Sequence, residues 1–197
     1  MMRKFYFLLA ALVSVSLMSC NSDDDDSGGS RTDELPSVTT VAGTYSGTCV
    51  YTYINRPDTL DATWSISSDS VLTIRDLPVK VLLGRAADST IVKTAEPSQT
   101  VTMTGKVYIY HTPPLAFHLI MNPFTTTATF NGATHSLQVG FKANQVFENG
   151  GLYSNGSIDL YVALGEVSID GDKTNILTGN AGFQLSGKRG NSPIISQ

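Results

Sequence analysis

The chain has 197 residues and a formal net charge of −4, from 13 basic and 17 acidic side chains. Residues 1–34 hold three of the basic and six of the acidic side chains, which leaves ten against eleven in the rest. Because nucleic acids and anionic membranes are bound through excess positive charge, this near-neutral remainder argues against a nucleic-acid partner.

The first 19 residues have the pattern of a secretory signal peptide. Arg3 and Lys4 precede an apolar stretch over residues 5–15, which is too short to span a bilayer. The residues that end this segment, Leu17-Met18-Ser19-Cys20, resemble a bacterial lipobox. The resemblance implies that cleavage leaves Cys20 as the acylated first residue of the mature protein.

An acidic segment with glycines follows this cysteine. Adjacent carboxylates repel one another and cannot be buried, so residues 20–37 are predicted to form a flexible tether. The acidic run is similar to the export signal of surface lipoproteins in the Bacteroidetes and comprises Ser22, Asp23, Asp24, Asp25 and Asp26. The similarity implies a lipid-anchored protein exposed on the cell-surface side of the outer membrane, with the periplasmic face as the alternative.

Residues 38–197 are predicted to form one domain, since about 160 residues is the size of a single domain. Cys49 is the one cysteine left after acylation of Cys20, so no intramolecular disulfide is expected. Cys49 lies on the same face of a predicted strand as Tyr45 and Tyr51. We therefore expect it to be an inert, buried thiol.

Alternation of apolar and polar residues with period two runs through most of this domain. Leu137, Val139 and Phe141, for example, alternate with Gln138 and Lys142. Such a pattern is typical of antiparallel strands with one buried face. About nine or ten strands of this kind are predicted.

Short turn signals separate the predicted strands. Asn131 with Gly132, and Asp170 with Gly171, are two-residue hairpin signals. One short helix is predicted over residues 76–87, which begin with an aspartate that could cap it and carry apolar residues at helical spacing.

An antiparallel domain of this length must protect the edges of its sheet. Up-and-down strands linked by short hairpins do so by closing into a barrel, whereas longer crossing connections would make a sandwich. We predict an all-β, antiparallel up-and-down barrel with at most one short helix. A two-sheet β-sandwich is the alternative.

Two short motifs carry a family resemblance. The opening Val41-Ala42-Gly43-Thr44-Tyr45-Ser46-Gly47 and the closing Gly182-Phe183-Gln184-Leu185-Ser186-Gly187 resemble the calycin-like (lipocalin-like) lipoproteins of unknown function found in the same bacteria. The resemblance extends over most of residues 41–189. It implies a calycin-like barrel more than it implies a function.

The sequence contains no recognisable catalytic constellation, and we predict neither a metal nor a cofactor. His111 and His118 flank two prolines without a further ligand at metal-binding spacing. The residues after Asp170 lack the sixth-position glycine and the distal glutamate of a calcium loop. We therefore expect ordinary histidines, a turn at Asp170 and a protein that is not an enzyme.

Aromatic residues on the strands are the best candidates for ligand contacts, namely Tyr108, Tyr110 and Tyr161. Each lies opposite apolar neighbours such as Val107 and Leu160, so its strand is predicted to make apolar contacts on both faces. In a barrel, this pattern fits a ligand-lined interior with a buried outer face. It equally fits a core layer with a second packing layer outside it.

Three triplets resemble the O-glycosylation sequon of exported proteins in the Bacteroidetes. They are Asp58-Thr59-Leu60, Asp69-Ser70-Val71 and Asp88-Ser89-Thr90. The resemblance implies modification at Thr59, Ser70 and Ser89, although each triplet is also compatible with a polar turn.

These observations favour a surface-anchored lipoprotein that acts as a non-catalytic binding or accessory module of the outer membrane. Its partner would be a glycan, an apolar small molecule or another envelope protein. The alternative is a structural or inhibitor-like envelope protein without a small ligand.

Overall fold

The computed structural model describes residues 37–111, 115–142 and 149–190. All of them lie in one unit, Glu34–Gln197. The described strands are β1 (Gly43–Tyr53), β2 (Arg56–Ile66), β3 (Val71–Pro78), β4 (Thr100–His111), β5 (Leu115–Met121), β6 (Phe124–Phe130), β7 (Ala133–Phe141), β8 (Gly150–Ser154), β9 (Ser157–Ile169) and β10 (Ala181–Arg189). The described helices are α1 (Val38–Val41), α2 (Lys80–Leu83) and α3 (Ser89–Thr94). Among these residues, no helix has the length and apolar character needed to cross a bilayer.

Eight of the strands close into an antiparallel barrel. Their order is β1, β2, β3, β4, β5, β8, β9 and β10, and β10 pairs back onto β1. The remaining strands, β6 and β7, form a hairpin that extends the sheet beyond β9. The predicted antiparallel barrel is therefore confirmed, the sandwich alternative is wrong, and the closed eight-stranded barrel fits a calycin-like fold.

The interior of the barrel is filled by side chains. Alternating residues of each strand point inward, as the period-two pattern predicts, and bury their apolar groups together. The largest of the fully buried side chains include Trp64, Tyr45, Phe117 and Phe183. The barrel is thus built around a packed core.

Strand β7 shows how closely the sequence pattern predicts burial. Leu137 and Val139 are buried and Gln138 between them is exposed, as expected. Phe141 is only half-buried, because it is the last residue of the strand. Its ring packs against that of Phe124, with 6.2 Å between the centroids.

The helix predicted over residues 76–87 was wrong in its extent. Asp76 lies within β3 with a φ of +52°, and only Lys80–Leu83 is helical. The helix ends at the barrel rim, where the amide of Ile54 donates to the Gly84 carbonyl at 3.0 Å. A Cβ on Gly84 would lie 2.0 Å from the Thr52 carbonyl oxygen, so this close approach requires glycine.

Three short helices are present among the described residues, where at most one was predicted. The apolar spacing around α2 instead serves to bury Val81, Leu82 and Leu83 against the core. Helix α3 is capped by Asp88, whose Oδ1 accepts from the Thr90 amide at 2.8 Å.

Two of the hairpins are closed by an Asn-Gly turn. Asn131 and Gly132 join β6 to β7 with φ values of +52° and +77°, as predicted. Residues 155 and 156 join β8 to β9 in the same way. Asp170 and Gly171 also form a turn. The chain that follows makes an isolated bridge from Leu177 to Ala86 and single hydrogen bonds to its neighbours, so the second strand of the predicted hairpin does not form.

Candidate functional site

The three tyrosines singled out in the sequence lie on the outer face of the barrel. Tyr108 and Tyr110 on β4 are 45% and 44% exposed, and Tyr161 on β9 is 41% exposed. Their inward neighbours, such as Val107 and Leu160, belong to the packed core. The expectation of a ligand-lined interior was wrong, and so was the expectation of a buried outer layer over these tyrosines.

Strand pairing brings the aromatic side chains into one row across the outer face. Tyr108 lies opposite His118, and His118 lies opposite Gly150 on β8. Gly150 lies opposite Tyr161, and Tyr161 opposite Gln184 on β10. Residues far apart in the sequence thus become neighbours on five adjacent strands, β4, β5, β8, β9 and β10.

The rings at one end of this row stack on each other. The Tyr108 and His118 rings are nearly parallel, with 5.0 Å between their centroids and 10° between their planes. The Tyr110 ring is tilted at 44° to His118, with 5.6 Å between the centroids. His118 is therefore held between two tyrosines, which sequence reasoning did not anticipate because the pairing of β4 with β5 was unknown.

A second row runs beside the first and completes a depression that we call the outer groove. In this row Ala116 lies opposite Leu152, and Leu152 lies opposite Asp159. The groove has a volume of about 700 Å³. Its walls and rim include Tyr110, Ala116, Leu152, Asp159, Tyr161 and Gln184.

Glycines on β8 keep the floor of the outer groove low. A Cβ on Gly151 would lie 2.7 Å from the Phe117 ring, and a Cβ on Gly150 would lie 2.7 Å from the Phe117 backbone oxygen. Strand β8 therefore lies so close to β5 and the core that side chains are not accommodated here. The missing side chain at Gly150 leaves a gap between His118 and Tyr161.

Tyr161 leans across the neighbouring strand. Its hydroxyl lies 3.0 Å from the position that a Cβ on Gly182 of β10 would occupy. Because Gly182 has no side chain, the Tyr161 ring can lie over β10 while a large part of it stays exposed.

The outer groove carries a negative charge and no positive one. Asp159 is the carboxylate among the described lining residues, and none of them is a lysine or an arginine. The Asp159 carboxylate has no hydrogen-bond partner in the described part of the chain. The Gln184 amide makes only a long contact of 3.4 Å to the Ser186 hydroxyl. Both polar groups are available to a ligand.

Cys49 does not form a reactive site. Its side chain is fully buried among the core residues, as expected. Burial raises the pKa of the thiol to about 12, so the thiol stays protonated at neutral pH.

His135 forms a hydrogen bond with Asp170 that the sequence did not reveal. Its Nδ1 lies 2.7 Å from Oδ2 of Asp170, and Oδ1 of Asp170 accepts from the Ser136 amide at 2.8 Å. The hydrogen bond from His135 and then that from Ser136 lower the pKa of Asp170. Since 35 positions separate the two side chains, only the β7 to β9 pairing could have predicted the contact. It ties the β6–β7 hairpin to the turn at Asp170.

The remaining predicted positions can be placed as follows. Within the described ranges, no cluster of three or more His, Cys, Asp or Glu side chains is arranged to hold a metal ion. The side chain of His111 lies outside what the structure describes, and so do Cys20, Ser22 and residues 23–26.

The three sequon residues differ in accessibility. Thr59 is exposed on β2, whereas Ser70, in the turn before β3, and Ser89, the first residue of α3, are half-buried. Their glycosylation stays a prediction, and Thr59 offers the most accessible hydroxyl of the three.

Comparison with known proteins gives a family. The chain has no significant match among curated proteins or among solved structures. Residues 40–169, from the end of α1 to the end of β9, match the family described as domain of unknown function DUF4840. The chain belongs to this family.

Proposed function

We propose that this DUF4840 protein is a surface-anchored lipoprotein whose barrel is a non-catalytic binding module, with the outer groove as its ligand site. The lipid anchor would be Cys20, and the acidic residues 23–26 would direct the protein to the outer face of the outer membrane. Residues 20–37 would then hold the barrel away from the lipid surface.

The distribution of exposed apolar side chains carries this proposal. Isolated exposed apolar residues are common on protein surfaces, but contiguous patches mark interaction sites. In the described part of the chain, the large exposed apolar side chains lie on β1, β4, β5, β8 and β9, and half of them line the outer groove. They are Val50, Tyr108, Tyr110, Ile120, Leu152 and Tyr161.

The packed interior supports an external site. A barrel that holds a ligand inside needs an open cavity. In this protein, Trp64, Tyr45 and Phe117 fill the interior of the barrel. A ligand that entered the barrel would have to displace core side chains, at a cost of several kcal/mol for each large group. The outer groove needs no such rearrangement.

A ligand-observed NMR screen tests the proposed site. The whole chain, purified in detergent micelles, would be screened against neutral, anionic and cationic oligosaccharides, fatty acids, aromatic small molecules and peptides. We expect saturation transfer to at least one class with the unmodified protein. The double variant Tyr161→Ala with Leu152→Ala should lose that signal, because it removes two walls of the groove.

The control is Thr63→Ala, an exposed position on the outer face of β2 and outside the outer groove. It should bind as the unmodified protein does. If no class binds, or if the double variant binds normally, the outer groove is not a ligand site. If no class binds, the structural or inhibitor-like alternative replaces the proposal.

A further inference from the structure

We infer that the ligand of the outer groove is a neutral glycan, a proposal that rests on the proposed function and narrows it. Three features of the outer groove constrain its ligand: the aromatic surfaces, the polar groups between them and the exposure of the groove to water.

The aromatic surfaces favour a ligand with flat apolar faces. Tyr161 in the wall of the outer groove, and the stacked Tyr108 and His118 beside the groove, form two platforms with Gly150 between them. Neighbouring strands are about 4.8 Å apart, so His118 and Tyr161 stand on strands about 10 Å apart. Sugar rings have C–H faces that pack on the electron-rich faces of aromatic rings. A chain of such rings could contact both platforms.

The polar groups argue against apolar and anionic ligands. A purely apolar ligand would cover the Asp159 carboxylate without giving it a hydrogen bond, which is costly. An anionic ligand would meet this carboxylate with no lysine or arginine among the described lining residues to offset it. Neighbouring sugar hydroxyls, in contrast, can donate to both carboxylate oxygens, while the Gln184 amide can donate and accept.

The position of the groove favours a ligand that stays partly in water. Sites for small apolar molecules usually enclose most of the ligand surface. The outer groove lies on the outside of a barrel and contacts a ligand from one side, through side chains that remain exposed. A glycan tolerates this arrangement because one face of each ring can stack while its hydroxyls remain hydrated.

Isothermal titration calorimetry with a defined panel tests the inference. The probes are neutral hexasaccharides of β-1,4-glucan, α-1,4-glucan, β-1,4-xylan and β-1,4-mannan, together with hexagalacturonate as anion, chitosan hexamer as cation and a fatty acid. We expect at least one neutral hexasaccharide to bind. Tyr161→Ala should weaken that binding about tenfold or more, and Asp159→Asn about three- to tenfold.

Asp61→Asn is the matched control, because Asp61 is an exposed carboxylate on the same outer face, on β2 and outside the outer groove. It should leave the affinity unchanged. The inference is overturned if no neutral hexasaccharide binds, or if binding survives Tyr161→Ala. Binding of only the anion, the cation or the fatty acid, with loss in Tyr161→Ala, would overturn the inference of a neutral glycan and leave the outer groove as a site. Absence of binding by every class would remove both.

Discussion

The guanidinium of Arg189 lies over the ring of Tyr45, with 5.8 Å between its central carbon and the ring centroid. The two residues also face each other across the pairing of β10 with β1. Arg189 further donates to the Tyr45 hydroxyl at 3.3 Å and to the Thr40 carbonyl of α1, and Tyr45 itself donates to the Val41 carbonyl. The last strand of the barrel, its first strand and the helix that precedes them are thus joined at one point.

This junction predicts that Arg189 stabilises the closed barrel. Arg189→Met keeps much of the packing but removes the hydrogen bonds to Tyr45 and Thr40, and should lower the free energy of unfolding by about 1 to 3 kcal/mol. Lys188→Met, the exposed neighbour on β10, should change it by less than about 0.5 kcal/mol. Urea denaturation measures both values. Equal midpoints for the two variants would show that the junction contributes nothing.

The inward and outward faces of β7 should differ sharply in sensitivity to truncation. Leu137→Ala leaves a cavity in the core and should cost about 2 to 5 kcal/mol. Gln138→Ala on the exposed face should cost less than about 0.5 kcal/mol. The comparison also tests the strand period, and similar losses for both variants would contradict the observed register.

The hydrogen bond between His135 and Asp170 should make stability depend on pH in the acid range. Because the folded pKa of Asp170 is lowered from its ordinary value of 3.8, its contribution is present above that value and is lost as the pH falls through the folded pKa. At neutral pH, Asp170→Asn should therefore be less stable than the unmodified protein. The difference should shrink as the pH falls below about 4.

Denaturation midpoints between pH 7 and pH 2 measure this effect, and Thr63→Ala is the control because it replaces an exposed side chain that does not titrate. Its difference from the unmodified protein should stay constant over the same range. A constant difference for Asp170→Asn as well would show that the pair with His135 does not contribute.

The proposed anchor predicts how the protein is distributed in the cell. Labelled fatty acid should be incorporated into the unmodified chain and not into Cys20→Ala. Replacement of residues 23–26 by alanine should protect the barrel from protease added to intact cells, because the export signal would be lost. Equal labelling of Cys20→Ala, or unchanged proteolysis of the alanine variant, would contradict the respective half of the proposal.

Local sequence patterns were sufficient to predict much of the barrel. Alternation around Leu137 and the turn at Asn131 and Gly132 are properties of neighbouring residues, and both are confirmed. The helix over residues 76–87 was predicted too long because its apolar spacing could not reveal that β3 continues to Pro78 or that the helix ends at Leu83, before Gly84 packs against the Thr52 carbonyl.

The candidate site was harder to predict, because it depends on which strands become neighbours. The sequence identified Tyr108 and Tyr161, but the row through His118 and Gly150 exists only because β8 pairs with both β5 and β9. Alternation alone also could not distinguish the face of these strands that points into the barrel from the face that points to solvent, since both faces carry large apolar groups. The tyrosines were therefore expected to be buried, whereas their side chains are exposed in the structure.

The central claim is that ligands bind on the outside of a filled barrel, and amide and indole NMR shifts test it most directly. Trp64 is the only tryptophan in the chain and is buried in the core, so its indole resonance reports on the interior. On titration with the neutral hexasaccharides, we expect the amide signals of Leu152, Asp159 and Tyr161 to shift while the Trp64 indole signal stays in place. A shift of the Trp64 indole signal without changes at Leu152, Asp159 and Tyr161 would contradict the account.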